Sequence, residues 1–150
     1  MEITLNEVFD PRAIILKLEG KTKDAVFGEL IKAIAKIHPE CDETSLRTVL
    51  WEREKKMSTG IGAGIAIPHA FYGGIDRMTG AIGVSQTGIE YNALDQQAVN
   101  LVFMLVIGGK AHENHLNVLN HIITLVQSDA SAMIKEAQDE KTVADILSRS

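Results

Sequence analysis

A nearly unbroken apolar run at 99–109, with the sequence VNLVFMLVIGG, constrains the fold of this chain more than any other segment. A strand with one face in water alternates apolar and polar residues, whereas a strand covered on both faces is apolar throughout. The two glycines that close the run are typical of a strand end. We therefore predict a central β-strand here, with other elements covering both of its faces.

The segments around this run alternate between strand and helix patterns. The apolar spacing of 24–37 predicts a helix that ends before Pro39, and Asp42 or Thr44 can cap the next helix. Further strands are predicted at 13–20 and 79–87, and further helices at 41–56, 111–128, 129–138 and 140–149. Residues 58–70 are predicted to form a loop and then a short strand, with a kink where the chain leaves that strand. This order predicts an α+β fold with α/β/α layers, in which one sheet has helices on both faces.

Length and composition narrow the functional classes. A chain of 150 residues fits one domain, and a net charge of -5 without a long Lys/Arg run argues against a nucleic-acid partner. No apolar run approaches the ~20 residues of a membrane span, and the N-terminus is acidic, unlike a signal peptide. Cys41 is the single cysteine, which excludes an intrachain disulfide and favours the reducing cytoplasm. We expect a cytoplasmic protein that is not integral to a membrane.

Two polar residues fall on predicted apolar helix faces. Arg53 continues the stripe formed by Leu46, Val49 and Leu50, and His115 lies in the first turn of the helix at 111–128. The residues expected to point inward from that helix are Leu116, Leu119, Ile122, Ile123 and Val126. Polar groups are costly on such faces, which favours a functional role. The alternatives are a snorkelling arginine and a core histidine bonded to a carbonyl.

A glycine cluster leads into the most suggestive histidine of the chain. Gly60, Gly62 and Gly64 open a predicted strand, whereas a dinucleotide-binding loop follows a strand and opens a helix, and the lysine of a phosphate-binding loop is missing. The glycines alone indicate only tight turns. His69 follows Pro68, whose fixed φ limits movement of the chain, so this imidazole can be held rigidly.

A zinc site is the metal-dependent alternative. His112 and His115 stand three residues apart on one helical face and could bind zinc together with His69. Structural zinc usually recruits cysteines, and catalytic zinc needs a third ligand and a nearby general base that the sequence does not clearly offer. We therefore predict no metal.

The run REKKMSTGIGAGIAIPHA at 53–70 resembles the active-site signature of the enzyme IIA domains of the bacterial sugar phosphotransferase system, of the fructose and mannitol class. The matching features are Glu54, the step from Ile61 to Gly62, and the unbroken 65–70. The stretch at 89–106 and the leucines after His115 are also similar to the family. The resemblance covers essentially the whole chain, and it implies a single enzyme IIA domain over 1–150 with a mixed sheet between helical layers.

The resemblance also implies roles for individual residues. His69 matches the phosphorylated histidine, His115 the supporting histidine and Arg53 the arginine that faces the phosphate. The donor would be the small histidine phosphocarrier HPr or its nitrogen-branch relative, and the acceptor a IIB domain or a regulatory target protein. No metal or cofactor is required, because positioning and electrostatic stabilisation can carry such a transfer. Further phosphate-binding candidates lie in one loop: Ser58, Thr59, Gly60, Gly62 and Gly64.

Within the family, the sequence most resembles the free-standing nitrogen-regulatory branch, through STGIG, GIAIPH and the region around 93–95. Departures at Ala63, Ala70, Ala98 and Asn100 leave a sugar-specific component of the fructose type open as the alternative. The chain runs from Met1 to just beyond the last predicted helix without a linker toward a IIB or IIC domain, which favours a separate protein. A regulator that docks without phosphate transfer is a further alternative, as is a metal-dependent enzyme.

Overall fold

The computed structural model describes residues 3–111 and 113–149. Within these residues, a β-sheet lies between two groups of helices. The helices are α1 (Leu5–Val8), α2 (Lys23–Ile37), α3 (Glu43–Lys56), α4 (His115–Val126), α5 (Ala130–Glu136) and α6 (Glu140–Ser148). The strands are β1 (Ile14–Ile15), β2 (Gly60–Gly62), β3 (Ile65–Ala66), β4 (His69–Phe71), β5 (Met78–Ile89) and β6 (Val99–Ile107). Short 3₁₀ turns occupy Pro11–Ala13 and Gly109–Ala111.

The sheet is mixed, and β6 lies at its centre. The strand order is β1-β5-β6-β3-β2, with β4 also paired to β6. The pairings of β5 with β6 and of β2 with β3 are antiparallel, whereas β1 runs parallel to β5 and both β3 and β4 run parallel to β6. The predicted central strand at 99–109 is thus confirmed.

Successive residues of β6 enter two different cores. Leu101, Phe103 and Leu105 pack in a core with residues of α1, α4, α5 and α6. Val102 and Met104 pack in a second core with residues of α2 and α3. Helices therefore shield both faces of the strand from water, which explains its continuous apolar sequence. This arrangement confirms the predicted layered fold, with helices on both faces of a mixed sheet.

Two helices follow the local signals closely. Helix α2 begins after its cap Thr22 and ends at Ile37, before Pro39. Helix α3 has Asp42 as its cap, whose side chain accepts a hydrogen bond from the backbone N–H of Ser45.

Three details of the sequence prediction were wrong. The strand expected at 13–20 is a regular strand only at Ile14–Ile15, after a 3₁₀ turn that begins at Pro11, although the Leu18 N–H still donates to the Val84 carbonyl of β5 at 2.9 Å. The loop expected before β3 forms a strand, β2, because its backbone finds a partner in β3. In helix α4, Leu116 was expected to point inward but is 61% exposed, whereas Ile122 and Val126 are buried as expected and Val118 and Leu125 are buried in addition.

Candidate functional site

His69 lies just after an interruption in one edge of the sheet. Strands β3 and β4 both pair with β6, and Ile65↔Leu101 and His69↔Leu105 keep the same offset across the break. Pro68 has no N–H to donate, but its carbonyl accepts from the Leu105 N–H at 2.8 Å. The backbone on both sides of His69 is therefore fixed to the central strand.

The imidazole of His69 is oriented by its own backbone. Its Nδ1 lies 2.7 Å from the carbonyl oxygen of Ile67. Because a carbonyl only accepts, Nδ1 carries the hydrogen, and the lone pair of the neutral ring lies on Nε2. Burial lowers the pKa of His69, and the charges of Arg53 and His115 lower it further, against the opposing effects of the Ile67 bond and Glu54. The ring is thus biased toward its neutral, nucleophilic form.

Arg53 brings a guanidinium to the last turn of α3. Its Nη1 donates to the carbonyl of Met57, the residue that caps this helix, at 2.8 Å. The side chain is half-buried, and its charge acts on the pKa of His69. A guanidinium has five N–H donors, so the bond to Met57 fixes the group while leaving other donors for an anion.

His115 reaches the same place from the opposite helical layer. It is the first residue of α4, and its ring meets that of Phe71 edge-on, with centroids 5.0 Å apart and an interplanar angle of 78°. Phe71 lies two residues beyond His69 in β4, so both side chains project from the same face of the sheet. The structure therefore brings together the three residues that the sequence singled out.

The glycines of the predicted phosphate loop have structural explanations. Gly62 and Gly64 have φ of +100° and +80° in the turn between β2 and β3, a region that favours glycine. A Cβ at Gly60 would lie 2.6 Å from Cβ of Ala93. The hairpin thus requires these glycines for its turn and close packing, and phosphate binding at them stays a prediction.

The two hydroxyls of the loop are already used within the protein. Thr59 is 4% exposed, and its hydroxyl donates to Oε1 of Glu54 at 2.6 Å. In this structure a buried carboxylate takes the hydrogen of this hydroxyl, and a role of Thr59 in phosphate binding stays a prediction. The Ser58 hydroxyl accepts from the Gly60 N–H at 3.2 Å, which matches the turn-stabilising alternative.

A buried polar network beneath the site was missed from the sequence. Glu54 is 5% exposed and accepts from the ammonium of Lys23 at 3.0 Å and from the hydroxyl of Tyr91 at 3.3 Å, besides Thr59. The Lys23 ammonium also lies 4.1 Å from the centre of the Tyr91 ring. A signal was available, because Glu54 follows Leu50 at the spacing of one helical turn and therefore belongs to the buried stripe of α3.

Several exposed apolar residues lie next to the site residues or bond to them. The Met57 carbonyl accepts from Arg53, the Phe71 ring meets His115, and the Leu94 N–H donates to Gly60. We use "apolar rim" for Met57, Ile61, Phe71, Leu94 and Leu116, which are 42% to 67% exposed. Grouped exposed apolar side chains mark protein interaction surfaces.

The zinc alternative receives no geometric support from the described residues. Among residues 3–111 and 113–149, no three His, Cys, Asp or Glu side chains are grouped so that they could hold a metal ion. His112 of the predicted set lies outside the described residues. The same described residues contain no helix that is long and apolar enough to cross a membrane.

Comparison with known proteins decides the family. The model of the family described as "Phosphoenolpyruvate-dependent sugar phosphotransferase system, EIIA 2" matches residues 7–150. The chain belongs to this family. Members of the EIIA family are phosphocarrier components of the phosphotransferase system, and they accept and pass on phosphoryl groups. This confirms the assignment made from the run at 53–70.

Relatives of this EIIA chain have both sugar-specific and regulatory names. It is 33% identical to the fructose-specific EIIABC component of Bacillus subtilis over 150 residues, which is 99% of this chain but 23% of that protein. It is 30% identical to the fructose-specific EIIA component of Haloferax volcanii, covering 98% and 97% of the two chains. It is 29% identical to a nitrogen regulatory protein of Pseudomonas aeruginosa, covering 97% and 95%.

Solved structures give the same result for the fold of this EIIA chain. The nitrogen regulatory protein IIA-Ntr of Neisseria meningitidis superposes with a TM-score of 0.87 at 26% identity, covering 95% of this chain and 98% of that one. The mannitol IIA protein of Escherichia coli, solved in complex with phosphorylated enzyme IIB, has a TM-score of 0.76 at 14% identity, covering 95% and 100%. The second likeness shows the fold alone.

Proposed function

We propose that Nε2 of His69 accepts a phosphoryl group from a phosphorylated protein and passes it to another protein. The observation that carries this proposal is the bond from Nδ1 of His69 to the Ile67 carbonyl, which leaves Nε2 as the nitrogen with the lone pair. Burial keeps the pKa of the ring below its ordinary value, so the acceptor form predominates near neutral pH.

The transfer is a displacement between two imidazoles. The lone pair of His69 Nε2 forms a bond to phosphorus while the bond from phosphorus to the donor imidazole breaks, and that bonding pair returns to the donor nitrogen. Negative charge is spread over the three equatorial oxygens in the transition state. Arg53 supplies guanidinium N–H donors to those oxygens, and His115 assists the phosphorylated ring from the other side without accepting phosphate itself.

The apolar rim supports a protein as the partner in both directions. Its five exposed apolar side chains belong to the segments that carry or adjoin the site residues, and a partner protein can cover them while its own reactive group reaches the half-buried imidazole. From the family resemblance, we propose an HPr-type phosphocarrier as the donor and a IIB domain or a regulatory target as the acceptor. The acidic chain and the absence of a basic run support protein rather than nucleic acid as the partner.

We favour the nitrogen-regulatory type within the family. The TM-score of 0.87 to IIA-Ntr of Neisseria meningitidis supports it, together with the STGIG and GIAIPH segments. The identities of 33% and 30% to fructose-specific proteins support the second candidate, a sugar-specific component that feeds a IIB domain. In either case we propose one EIIA domain over 1–150 that acts in the cytoplasm.

Phosphorylation in a reconstituted system tests this proposal. The chain is incubated with phosphoenolpyruvate and matched pairs of enzyme I and HPr from the sugar branch or the nitrogen branch, and its mass is followed. We expect one acid-labile phosphate on the parent protein, none on folded His69→Ala, and faster transfer from the nitrogen-branch donor. Faster transfer from the sugar-branch donor would favour the second candidate. No phosphate from either donor would favour docking without transfer.

A further inference from the structure

We propose that Asp95 is a positioning residue that holds the turn between β2 and β3 against the loop between β5 and β6 (91–98). In this way Asp95 keeps Ile61 and Leu94 together as one edge that the phosphoryl donor contacts. The inference rests on the proposed function, because the donor must dock beside His69. The Asp95 carboxylate acts through backbone bonds to the turn and takes no part in the transfer itself.

Unusual backbone conformations are concentrated where the turn meets this loop. Among the described residues, those other than glycine with a positive φ are Ala63, Asn92 and Gln96, at +56°, +61° and +61°. Ala63 lies in the turn, and the other two lie in the β5–β6 loop. Alanine disfavours this region more than asparagine does, and such conformations persist only where their surroundings hold them. The backbone of Ala63 therefore needs a partner that fixes it.

Asp95 is that partner. Its Oδ2 accepts from the Ala63 N–H at 3.0 Å, and its Oδ1 accepts from the Gln97 N–H at 3.0 Å. The backbone bonds from Gln97 and Ala63 lower the pKa of Asp95, so the carboxyl is ionised near neutral pH. One side chain thus bridges the turn and the loop.

The loop also lies against the outer edge of the sheet. Strand β2 ends the strand order, and the Gly60 carbonyl accepts from the Leu94 N–H at 3.2 Å. A Cβ at Gly60 would lie 2.6 Å from that of Ala93, so the two segments are in close contact at this point. Asp95 extends this contact to the tip of the turn.

The two segments present apolar side chains next to these bonds. Ile61 follows Gly60 and is 42% exposed, and Leu94 precedes Asp95 and is 67% exposed. Movement of the turn away from the loop would separate these two members of the apolar rim. A partner gains more from side chains that are already held in place, because it does not have to order them on binding.

The phosphoryl donor is the partner that this edge serves in our proposal. The strand after the turn leads through Pro68 to His69, so a protein that brings its own imidazole to Nε2 of His69 comes close to the turn. The donor is of the HPr type for both candidate functions, whereas the acceptor differs between them. We therefore expect Asp95 to affect donor binding and to leave the chemical step unchanged.

Four variants test this role. Asp95→Ala removes both bonds, whereas Asp95→Asn keeps an acceptor oxygen for one of them. Leu94→Ala removes a side chain that Asp95 is proposed to position. Asp139→Ala is the matched control, because this carboxylate also accepts from a backbone N–H, that of Thr142 at 2.7 Å, but lies at the start of α6, which contributes no residue to the apolar rim.

The transfer rate is measured over a range of concentrations of a phosphorylated HPr-type donor, and amide hydrogen exchange of Ala63 is followed by NMR. We expect Asp95→Ala to raise the half-saturating donor concentration about five- to tenfold, with the saturated rate within about twofold of the parent. Asp95→Asn should give a smaller rise. The Ala63 amide should exchange faster in Asp95→Ala, and Asp139→Ala should keep the parental values of all three quantities.

A double variant shows whether Asp95 acts by positioning Leu94. If it does, Leu94→Ala should raise the half-saturating donor concentration by less than about twofold in the Asp95→Ala background, although its effect in the parent is larger. Fully multiplicative effects would overturn the proposal. A parental half-saturating concentration in folded Asp95→Ala, or an equal rise in Asp139→Ala, would also overturn it.

Failure of the proposed function would look different. In that case the parent takes up no phosphate at His69, and NMR titration with the unphosphorylated HPr-type protein replaces the transfer assay. Weaker binding by Asp95→Ala than by the parent and Asp139→Ala would then support the role of Asp95. Equal Kd values, or no binding by the parent, would overturn it.

Discussion

Replacement of Arg53 by lysine tests the anion-binding part of the account. In the structure, one guanidinium nitrogen donates to the Met57 carbonyl at 2.8 Å, and this bond holds the planar group at the end of α3 beside His69. A lysine keeps the positive charge, but its three N–H donors sit on a single nitrogen and cannot form the planar fork of a guanidinium. Arg53→Lys therefore removes the fixed pair of donors rather than the charge.

The expected magnitude follows from what one donor contributes in a transition state. Loss of such a positioned donor costs ~2 to 3 kcal/mol of transition-state stabilisation. This corresponds to transfer that is roughly 30- to 150-fold slower. The effect on folding should be small, about 1 kcal/mol or less, because the bond lost in the folded protein is one hydrogen bond at a half-exposed helix end.

The assay is rapid-quench transfer from a phosphorylated HPr-type donor, with urea unfolding measured in parallel. Arg47→Lys is the matched control, because it makes the same chemical change on the same helix, where Arg47 pairs with Asp24 away from His69. The control should transfer at the parental rate. A rate constant for Arg53→Lys within twofold of the parent would refute the argument and return Arg53 to a snorkelling role.

Three further outcomes follow from the same geometry. His115→Gln should shorten the lifetime of phosphorylated His69 in water and alter transfer rates, with unchanged urea unfolding; an unaltered lifetime would limit His115 to helix packing. Gly60→Ala should destabilise the fold by ~1 to 3 kcal/mol in urea, because its Cβ would lie 2.6 Å from that of Ala93; parental stability would contradict this close packing. The pKa of His69 is lowered from its ordinary value of 6.5, so the unfolded chain binds this proton at a higher pH than the folded chain does. The contribution of His69 to stability should therefore fall as the pH drops from 6.5 toward the folded pKa. Comparison of the pH dependence of unfolding in the parent and in His69→Ala checks the sign of this effect.

The sequence predicted those elements whose signals are local. The strand around 99–107 is apolar throughout because both faces are covered, and α2 and α3 have their caps and end signals within a few residues of their ends. Strand β2 was missed because it depends on distant contacts, including the packing of Gly60 on Ala93. In α4 the prediction was wrong for Leu116, which belongs to the apolar rim, whereas Ile122 and Val126 are buried as predicted.

The same distinction between local sequence signals and distant contacts holds for the functional site. His69, Arg53 and His115 were predicted from their neighbours in sequence, and the structure brings them together from three elements. Glu54 and Thr59 were placed less well, because a buried carboxylate depends on partners far along the chain, of which Tyr91 is one. Helical spacing could have placed Glu54 on the buried face, but it could not have supplied those partners.

The position of the phosphate on the ring tests the central claim most directly. Heteronuclear NMR of the ¹⁵N-labelled, phosphorylated protein assigns the nitrogen that is bonded to phosphorus. The account predicts phosphorus on Nε2 of His69, with Nδ1 still bearing its hydrogen, because Nδ1 is bonded to the Ile67 carbonyl at 2.7 Å. Phosphorus on Nδ1 of His69, or on another residue of the folded protein, would contradict it.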